Sequence, residues 1–414
     1  MKKVMKMVPA LRFSEFEGEW NNRIVDELVN VIDCKHRTPP YTELGIPVVS
    51  PGSIKWGEID LKSPTKRVTE EEYQSLMDHC SPKYGDMVFS RNQSIGIASI
   101  LLKKEKFVLG QDTVLIQAKK VDPFFIYFRL QTSAVQTHIK RISGGSTFSR
   151  INLKDIRTLK MRITPFLPEQ QKIATFLTAV DEKIQRLTRK KELLEQYKKG
   201  VMQKIFKQEI RFKDDAGKEF PEWEERLLGE VGFTFNGLTG KTKDDFGKGK
   251  PYIQYKQIFD DSKINISKVD LVEISKDERQ RKVQYGDVFF TTSSETPKEI
   301  GFSSVLLDDV DEMYLNSFCF GYRTSSKYLC PEFSRFIFRS SIFRRNIIKL
   351  AQGSTRYNMS KIELMKLTIH LPSLPEQQKI ANFLTGLDDK IAHTGVQLAR
   401  AQEWKKGLLQ GLFV

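Results

Sequence analysis

The stretch Leu167-Pro168-Glu169-Gln170-Gln171-Lys172-Ile173-Ala174 recurs letter for letter at 374–381, 207 positions further along a chain of 414 residues. The agreement continues at the same shift: Phe176-Leu177-Thr178 matches Phe383-Leu384-Thr385, Asp181 matches Asp388, Lys198-Lys199-Gly200 matches Lys405-Lys406-Gly407, and Phe206 matches Phe413. Between these segments the two halves agree only in outline. The chain is therefore a tandem duplication whose unit ends are alike and whose unit middles differ.

The repeated octet predicts the start of a long helix in each half. Pro168 suits the first helical turn, and Glu169 complements the positive end of the helix dipole. The apolar residues that follow keep the spacing of three and four that is typical of a coiled coil. In the first copy they are Ile173, Leu177, Val180, Ile184, Leu187, Leu194, Val201 and Ile205.

Each helix should run about 40 residues, or ~60 Å, with Gly200 and Gly407 marking an end or a break. A helix buried on the core of its own domain is the alternative interpretation. The presence of a second helix of equal length favours pairing of the two with each other. In that case Lys198 and Lys405 are the polar interruptions expected to fix the register.

Short apolar strands alternate with turns in the variable middle of each half. They are expected at 46–49, 86–89, 97–101 and 113–116, and at 252–253, 287–290 and 303–307. A helical stretch follows in each (123–139 and 331–348), then a Gly-Ser-Thr turn and a short capped helix that starts at Asn152 or Ser360. Strands followed by helices predict an α+β fold, not a βαβ alternation.

These patterns divide the chain into six parts. They are an N-terminal segment 1–20, a first variable region 21–165, a central repeated helix 166–206, a connector 207–223, a second variable region 224–373 and a C-terminal repeated helix 374–414. The connector partly echoes the N-terminus, since Arg211-Phe212 and Trp223 resemble Arg12-Phe13 and Trp20.

Composition indicates a globular protein with an anionic partner. Apolar residues make up 39% of the chain, and 67 Lys and Arg against 52 Asp and Glu give a net charge of +15. Nucleic acid is the commonest partner for such an excess, and charge for general solubility is the alternative. No apolar run approaches the ~18 residues of a membrane span, and four cysteines form no disulfide framework. We therefore expect a cytoplasmic protein.

Catalytic and metal motifs find little support in the sequence. Gly240-Lys241-Thr242 looks like the end of a phosphate loop, but the required earlier glycine is Phe235. Cys34-Lys35-His36 and His79-Cys80 match no common zinc spacing. Glu169 and Glu376 repeat, and a charge–dipole role in a first helical turn suffices for both. We therefore predict no catalytic residue, no metal site and no cofactor held by this chain.

Nucleic-acid binding has better candidates, because several loops combine cations with amide and hydroxyl groups that can reach phosphates and base edges. In the first variable region they are Lys35, His36, Arg37, Arg91, Asn92, Gln93, Lys140, Arg141, Ser146, Thr147 and Arg150. In the second they are Lys256, Gln257, Ser293, Ser294, Lys349, Ser354, Thr355, Arg356 and Tyr357. Their placement at equivalent points of a duplicated basic protein is what distinguishes them from ordinary solvated loops.

Together these features resemble the specificity subunit of type I restriction–modification systems. The resemblance lies in Pro165-Phe166-Leu167-Pro168-Glu169-Gln170 and its copy from Pro372, in Tyr-Gly-Asp before a strand at 84–86 and 285–287, and in the Gly-Ser-Thr turn. Gly45-Ile46-Pro47 also fits, whereas the second half departs with Lys250-Pro251.

The resemblance implies a function and a set of partners. Each variable region would be a target-recognition domain that reads one half of a split site on double-stranded DNA. The helices would pack as an antiparallel spacer with pseudo-two-fold symmetry and dock two methyltransferase subunits. S-adenosylmethionine, ATP and Mg²⁺ would be bound by those subunits and by restriction and translocase subunits.

The divergent middles predict an asymmetric site, because the two halves need not read the same bases. A basic coiled-coil interaction scaffold that reads no sequence is the alternative function. A free-standing DNA-modifying enzyme lacks every motif considered above.

Overall fold

The computed structural model describes residues 8–143, 149–325 and 327–414, which fall into two compact units. One unit takes its residues from Met1–Arg189 and Val396–Val414, and the other comprises Lys190–Gly395. Each unit thus combines one variable region with stretches of both repeated helices, and the connector 207–223 belongs to the second unit.

The first half of the chain folds as an α+β region that leads into a long helix. Its strands are β1 (Asn21–Ile24), β2 (Val29–Asp33), β3 (Ile46–Val49), β4 (Arg67–Val68), β5 (Met87–Ser90), β6 (Ala98–Ile100), β7 (Val108–Leu109), β8 (Thr113–Ala118) and β9 (Lys160–Ile163). Its helices are α1 (Val25–Leu28), α2 (Glu70–Met77), α3 (Pro123–Gln131), α4 (Ser133–Ile142), α5 (Leu153–Thr158) and α6 (Leu167–Phe206), with a 3-10 turn at Pro51–Ser53.

The second half repeats this order. Its strands are β10 (Glu224–Leu227), β11 (Gly232–Asn236), β12 (Phe246–Ile253), β13 (Asp270–Val272), β14 (Val288–Thr291), β15 (Ser293–Ser294), β16 (Ser303–Val305), β17 (Tyr314–Leu315), β18 (Cys319–Thr324), β19 (Tyr357–Asn358) and β20 (Thr368–Leu371). Its helices are α7 (Leu228–Val231), α8 (Tyr255–Asp260), α9 (Pro331–Ile337), α10 (Ser341–Ile348), α11 (Lys361–Met365) and α12 (Leu374–Gly411), with 3-10 turns at Lys243–Asp245 and Pro297–Glu299.

The sheets of the two units share one topology. An antiparallel sheet has the order β2-β8-β5-β6 in the first unit and β11-β18-β14-β16 in the second. A smaller sheet has the order β4-β3-β7 or β13-β12-β17 and contains one parallel pair. The predicted strands therefore exist in both regions, with ends that lie within six residues of the expected ones.

Alternation along the central strand builds two cores in each unit. Met87 and Phe89 pack with the helices α3 and α4, whereas Val88 packs with the smaller sheet. In the second unit Val288 and Phe290 take the first role and Phe289 the second. Burial on both faces explains why these strands read as continuous apolar runs.

Each predicted helical stretch is two helices, not one. In the first unit α3 ends at Gln131 and α4 begins at Ser133, with an extended residue between them. In the second unit residues 338–340 separate α9 from α10, and the Ser340 hydroxyl accepts a hydrogen bond from the Phe343 amide. The predicted cap at Ser360 forms, but Asn152 makes no side-chain cap.

The long helices begin where the octets predict and run unbroken through Gly200 and Gly407. The prediction that these glycines mark an end or a break was therefore wrong. In the first unit α6 and α12 meet through the Asp181–Lys405 ion pair of 2.7 Å and the edge contact of Phe176 with Trp404.

The second unit contains the same contact with the repeats exchanged. Lys198 pairs with Asp388 at 2.5 Å, and Lys191 lies near Gly395, so the chains of α6 and α12 run antiparallel here. Val201 and Ile205 of α6 share a core with the first turns of α12, around Ile380, Leu384 and Leu387. The predicted antiparallel pairing, with lysines in the seam, is confirmed.

The repeated glutamates do more than complement a helix dipole. Glu169 is fully buried and accepts hydrogen bonds from the Arg12 guanidinium, at 2.7 and 2.9 Å, and from the Thr164 hydroxyl. Glu376 is equally buried and accepts from Arg211 at 3.0 Å through both oxygens. A charge–dipole role therefore does not describe these glutamates fully, because each also joins the start of its helix to a distant segment, the N-terminal segment at Arg12 or the connector at Arg211.

The Tyr-Gly-Asp triplets form tight turns against the next helix. Gly85 and Gly286 have φ values of +86° and +84°, which glycine adopts without strain. A Cβ on Gly85 would lie 2.9 Å from Pro123. Within the described part of the chain, no helix is both long and apolar enough to span a bilayer.

Candidate nucleic-acid interface

In the first unit, three chain segments converge where β5 ends. The Arg91 amide donates to the Asp112 carbonyl at 2.8 Å, and the Ile151 amide donates to the Arg91 carbonyl at 2.9 Å. Asn92 and Arg150 form an isolated antiparallel bridge. The structure thus brings together predicted residues that lie almost 60 positions apart in the sequence.

Side chains connect these segments through a carboxylate that the sequence reasoning missed. The Asn92 amide donates to one oxygen of Asp112 at 2.6 Å, and Arg150 forms an ion pair with the other oxygen at 2.6 Å. Arg150 keeps 43% of its side chain exposed, so its guanidinium remains accessible to a polyanion. Gln93 is exposed and adopts a φ of +51° just beyond this network.

Arg91 is placed differently from the other candidates. It is 4% exposed, donates to the Ile151 carbonyl at 3.2 Å and forms an ion pair with Asp33 at 3.1 Å. A base contact by this guanidinium would require it to leave the Asp33 carboxylate at the end of β2. In the observed arrangement Arg91 positions the loop that carries Asn92 and Gln93.

The predicted loop after β2 lies beside the same carboxylate. His36 is 2.8 Å from Asp33, whereas Lys35 and Arg37 form ion pairs of 2.6 Å with acidic residues at the two ends of α2. All three side chains keep more than a third of their surface exposed. They can therefore meet phosphate, although each already has an internal partner.

Lys140 and Arg141 are exposed in the last turn of α4. This helix packs on the turn that follows Gln93, because the Gln136 amide donates to the Gly96 carbonyl at 3.0 Å. Both cations therefore lie on the helix next to the converging segments. The predicted Ser146 and Thr147 lie outside the described residues.

The second unit repeats this set of backbone hydrogen bonds between three converging segments, which we call the backbone frame, with different side chains. The Thr292 amide donates to the Phe318 carbonyl at 3.1 Å, and the Met359 amide donates to the Thr292 carbonyl at 3.0 Å. The paired strands β15 and β19 bring Ser293 opposite Asn358 and Ser294 opposite Tyr357. Both serines are buried, so the backbone pairing, more than their hydroxyls, defines this edge.

The turn between Gln352 and Asn358 carries the exposed candidates of the second unit. Its tip holds Ser354, Thr355 and Arg356, all exposed, while Tyr357 is half-buried. Burial raises the pKa of Tyr255, and the charge of Arg356 acts to lower it, so the Arg356 guanidinium lies near that phenol. The exposed Lys349 caps α10 just before the turn.

Helix α8 holds the remaining pair of predicted residues. The Tyr255 hydroxyl donates to the Ser293 carbonyl at 2.7 Å, which fastens the start of this helix to β15. Lys256 is exposed and pairs with Asp260 one turn later. Gln257 is buried, accepts from the Asn265 amide and donates to the Lys268 carbonyl, so it orders a neighbouring loop and is not available to a ligand.

The chain between Asp33 and His36 brings carboxylate, thiol and imidazole ligand atoms within 4.8 Å of one another. The Asp33 carboxylate is already paired with Arg91, and burial raises the pKa of the Cys34 thiol. A divalent cation would therefore meet a fixed positive charge and a thiol that resists ionisation. The group fits an internal ion-pair network better than a metal centre.

Sequence reasoning missed Asp33, Asp112, Phe318 and Asn358. Only their positions in the sequence could have indicated them. Asp33 and Asn358 are the last residues of strands, and Asp112 and Phe318 are the residues just before a strand. Ends of neighbouring strands meet at one edge of a sheet, but which ends are neighbours depends on the strand order.

Known proteins resemble this chain along nearly its whole length. A family model described as "Type I restriction modification DNA specificity domain" matches residues 17–196 and again residues 221–400. The putative type I restriction enzyme MjaX specificity subunit of Methanocaldococcus jannaschii is 26% identical over 424 residues, which cover 95% of this chain and 93% of that protein. The MjaIX specificity subunit of the same organism is 21% identical and covers 89% of this chain and 85% of that protein.

Solved structures share the fold at lower identity. The S subunit of a type I restriction–modification system from M. genitalium superposes with a TM-score of 0.61 at 15% identity, over 99% of both chains. A chain from a study of complex assembly and conformational transition in the type I R-M system gives a TM-score of 0.55 at 15% identity, over 95% of this chain and 97% of that one.

Proposed function

This chain belongs to the family of DNA specificity subunits of type I restriction–modification systems, and we propose that it reads a bipartite, asymmetric site on double-stranded DNA. Each variable region reads one half of the site. The chain performs no chemistry itself and directs methyltransferase and restriction subunits to the DNA it has bound.

One observation carries this proposal. The same backbone frame follows β5 in the first unit and β14 in the second. At its equivalent positions the first unit has Arg91, Asn92 and Asp112, whereas the second has Thr292, Ser293 and Phe318. A frame kept in duplicate with its side chains changed is what two readers of different sequences require, because base edges are distinguished by their donor, acceptor and methyl patterns.

The charge of the chain supports polyanion binding. A net charge of +15 provides lysines and arginines for phosphate contacts, which supply affinity without sequence information. In the first unit Arg150 is half-exposed beside an amide-bearing loop, and in the second Arg356 is exposed at a turn tip. Cations beside groups that can read bases suit a sequence-specific surface.

The partners follow from the duplication. Two copies of the α6/α12 contact offer equivalent docking surfaces for two methyltransferase subunits, and restriction and translocase subunits would join them. S-adenosylmethionine, ATP and Mg²⁺ would be held by those subunits.

The test uses the chain assembled with its methyltransferase subunits and maps methylated adenines across a genome. The paired variants Arg150→Ala and Arg356→Ala serve as controls for each other, because each alters one unit. A lost base contact costs about 1–3 kcal/mol and relaxes one half-site only. Equal weakening of all sequences would instead assign that arginine to phosphate.

The chain without partners should bind DNA with a steep salt dependence and methylate nothing when S-adenosylmethionine is supplied. Methylation by the isolated chain would refute the assignment. Binding without any preferred sequence, by the chain alone and in the complex, would support the basic scaffold instead.

A further inference from the structure

An exposed aromatic ring lies in the backbone frame of the second unit, where we propose that DNA is read. Phe318 has 62% of its surface exposed, between β17 and β18. Its loop is ordered by the Asn316 side chain, whose oxygen accepts from the Phe318 amide at 2.8 Å. Isolated apolar residues on a surface are common and by themselves mean nothing. Phe318 differs from such residues because it occupies a position that the first unit uses for a polar network.

Matching backbone hydrogen bonds make Phe318 the counterpart of Asp112. The Arg91 amide donates to the Asp112 carbonyl, and the Thr292 amide donates to the Phe318 carbonyl. Two residues earlier, Gly110 donates to Val49 and Asn316 donates to Ile253, so the register of the two loops agrees.

The same comparison makes Asn358 the counterpart of Arg150. Arg150 bridges Asn92 in the first unit, and Asn358 pairs with Ser293 in the second. In the first unit the Asp112 carboxylate holds both the Asn92 amide and the Arg150 guanidinium. The second unit has Phe318 at this position, and a phenyl ring cannot accept these hydrogen bonds.

The amide of Asn358 is consequently available. Asn358 is exposed, and among the described residues its side chain takes part in no hydrogen bond. The backbones of Phe318 and Asn358 are paired with the consecutive residues Thr292 and Ser293, so both residues lie beside one short segment of the chain. An apolar ring and an amide thus occupy the two positions that hold the ion pair of Asp112 and Arg150 in the first unit.

We propose that Phe318 and Asn358 form a reading pair for A·T base pairs in the half-site of the second unit. The inference rests on the proposed function. In the major groove, thymine is the base that offers a methyl group, which an apolar side chain can contact. Adenine offers the N6 donor and N7 acceptor that an asparagine amide binds with two hydrogen bonds. The first unit, with charged groups at these positions, does not share this preference.

The first measurement uses synthetic duplexes that carry the mapped site, bound by the chain assembled with its methyltransferase subunits. Replacing each thymine of the second half-site by uracil, one at a time, removes only a methyl group. At one such position the uracil duplex should bind about three- to fivefold more weakly than the thymine duplex, which is the effect of losing the burial of one methyl group. In Phe318→Ala, thymine and uracil at that position should bind equally.

The second measurement concerns the adenine contact. Asn358→Ala should weaken binding about 5- to 100-fold at one A·T pair of the second half-site and leave the first half-site unchanged. Phe233→Ala is the matched control, because Phe233 is also an exposed phenylalanine of the second unit. It lies on β11 opposite Arg323, towards the end of β18 that is far from Phe318. It should alter neither half-site. Both test residues are exposed, so unchanged melting temperatures will confirm that the variants fold.

Equal binding of thymine and uracil duplexes at every position by the unaltered complex would overturn the role of Phe318. Uniform weakening of all sequences by Asn358→Ala would overturn the role of Asn358. If the complex prefers no sequence in either half, the proposed function fails and the reading pair fails with it. Sequence preference that persists while these residues have no effect refutes the pair alone.

Discussion

At the scale of single residues, Arg91 shows how a side chain with the chemistry of a reader can serve the frame instead. It is buried between Asp33 and the Ile151 carbonyl, and its own backbone joins β5 to two other segments. Burial of a guanidinium is tolerated because its charge is paired and its N–H groups find acceptors. The exposed neighbours Gln93 and Arg150 remain the accessible candidates.

We therefore expect Arg91→Met to destabilise the first unit by about 2–3 kcal/mol. The value is somewhat below that for a fully buried pair, because Asp33 keeps 21% of its side chain exposed. The loss is measured by urea unfolding, with hydrogen exchange of the β2 and β5 amides as the probe of the first unit. Lys35→Ala, which removes an exposed ion pair, is the control and should cost less than ~1 kcal/mol. A stable Arg91→Met protein with a changed first half-site would make Arg91 a base reader after all.

At the scale of elements, the repeat explains how two long helices find one register. Lys405 pairs with Asp181 at 2.7 Å and lies 5.5 Å from the ring centre of Phe128. Lys198 pairs with Asp388 and lies 5.5 Å from the ring centre of Phe336. The two lysines are repeat copies of each other, as are the two aspartates. Each unit thus receives its lysine from the helix of the opposite repeat.

This arrangement predicts strong coupling between Asp181 and Lys405. Asp181→Asn and Lys405→Met should each destabilise the first unit, because the remaining charge is mostly buried. A double-mutant cycle should give a coupling of about 1–3 kcal/mol. Glu182 and Arg186, an exposed pair on α6, provide the matched cycle, with an expected coupling of about 0.3–0.5 kcal/mol. Additive effects for the buried pair would show that it does not set the register.

At the scale of the whole molecule, the compact units do not coincide with the sequence repeats. Each unit contains one variable region and helix stretches from both halves of the chain. Neither half alone has both helices of a pair, so neither can bury its apolar seam without the other. Under the proposed function, the length of these helices also determines the gap between the two half-sites.

Adding one heptad to both helices tests that relation. Leu187 lines a groove with Gln397 and Ala401, so seven residues inserted after Leu187 and seven after Leu398 keep the two helices in step. The insertion adds about 10 Å. The preferred gap should lengthen by about three base pairs, at ~3.4 Å each, while the bases read stay the same. Methylation mapping measures both quantities.

Insertion into α6 alone is the control, and it should reduce stability because the seam then falls out of register. Changed bases at an unchanged gap would show that helix length does not determine the spacing.

The sequence by itself determined the duplication, both long helices with their first residues, the family, and seven of the strands in the variable regions, namely β3, β5, β6, β8, β12, β14 and β16. These features depend on periodicity and on signals close together in the chain, such as Pro168 and the apolar run after it. It also predicted Lys198 and Lys405 as register residues, because a charge in an apolar seam needs a partner.

Only the tertiary structure decided which polar residues are buried and which are presented. Glu169 receives Arg12 from 157 positions away, and Arg91 receives Asp33 from 58 positions away. Strand order likewise made Phe318 the counterpart of Asp112. The physical reason is that the burial of a side chain depends on segments distant in the sequence that pack around it, whereas helix and strand periodicity is local.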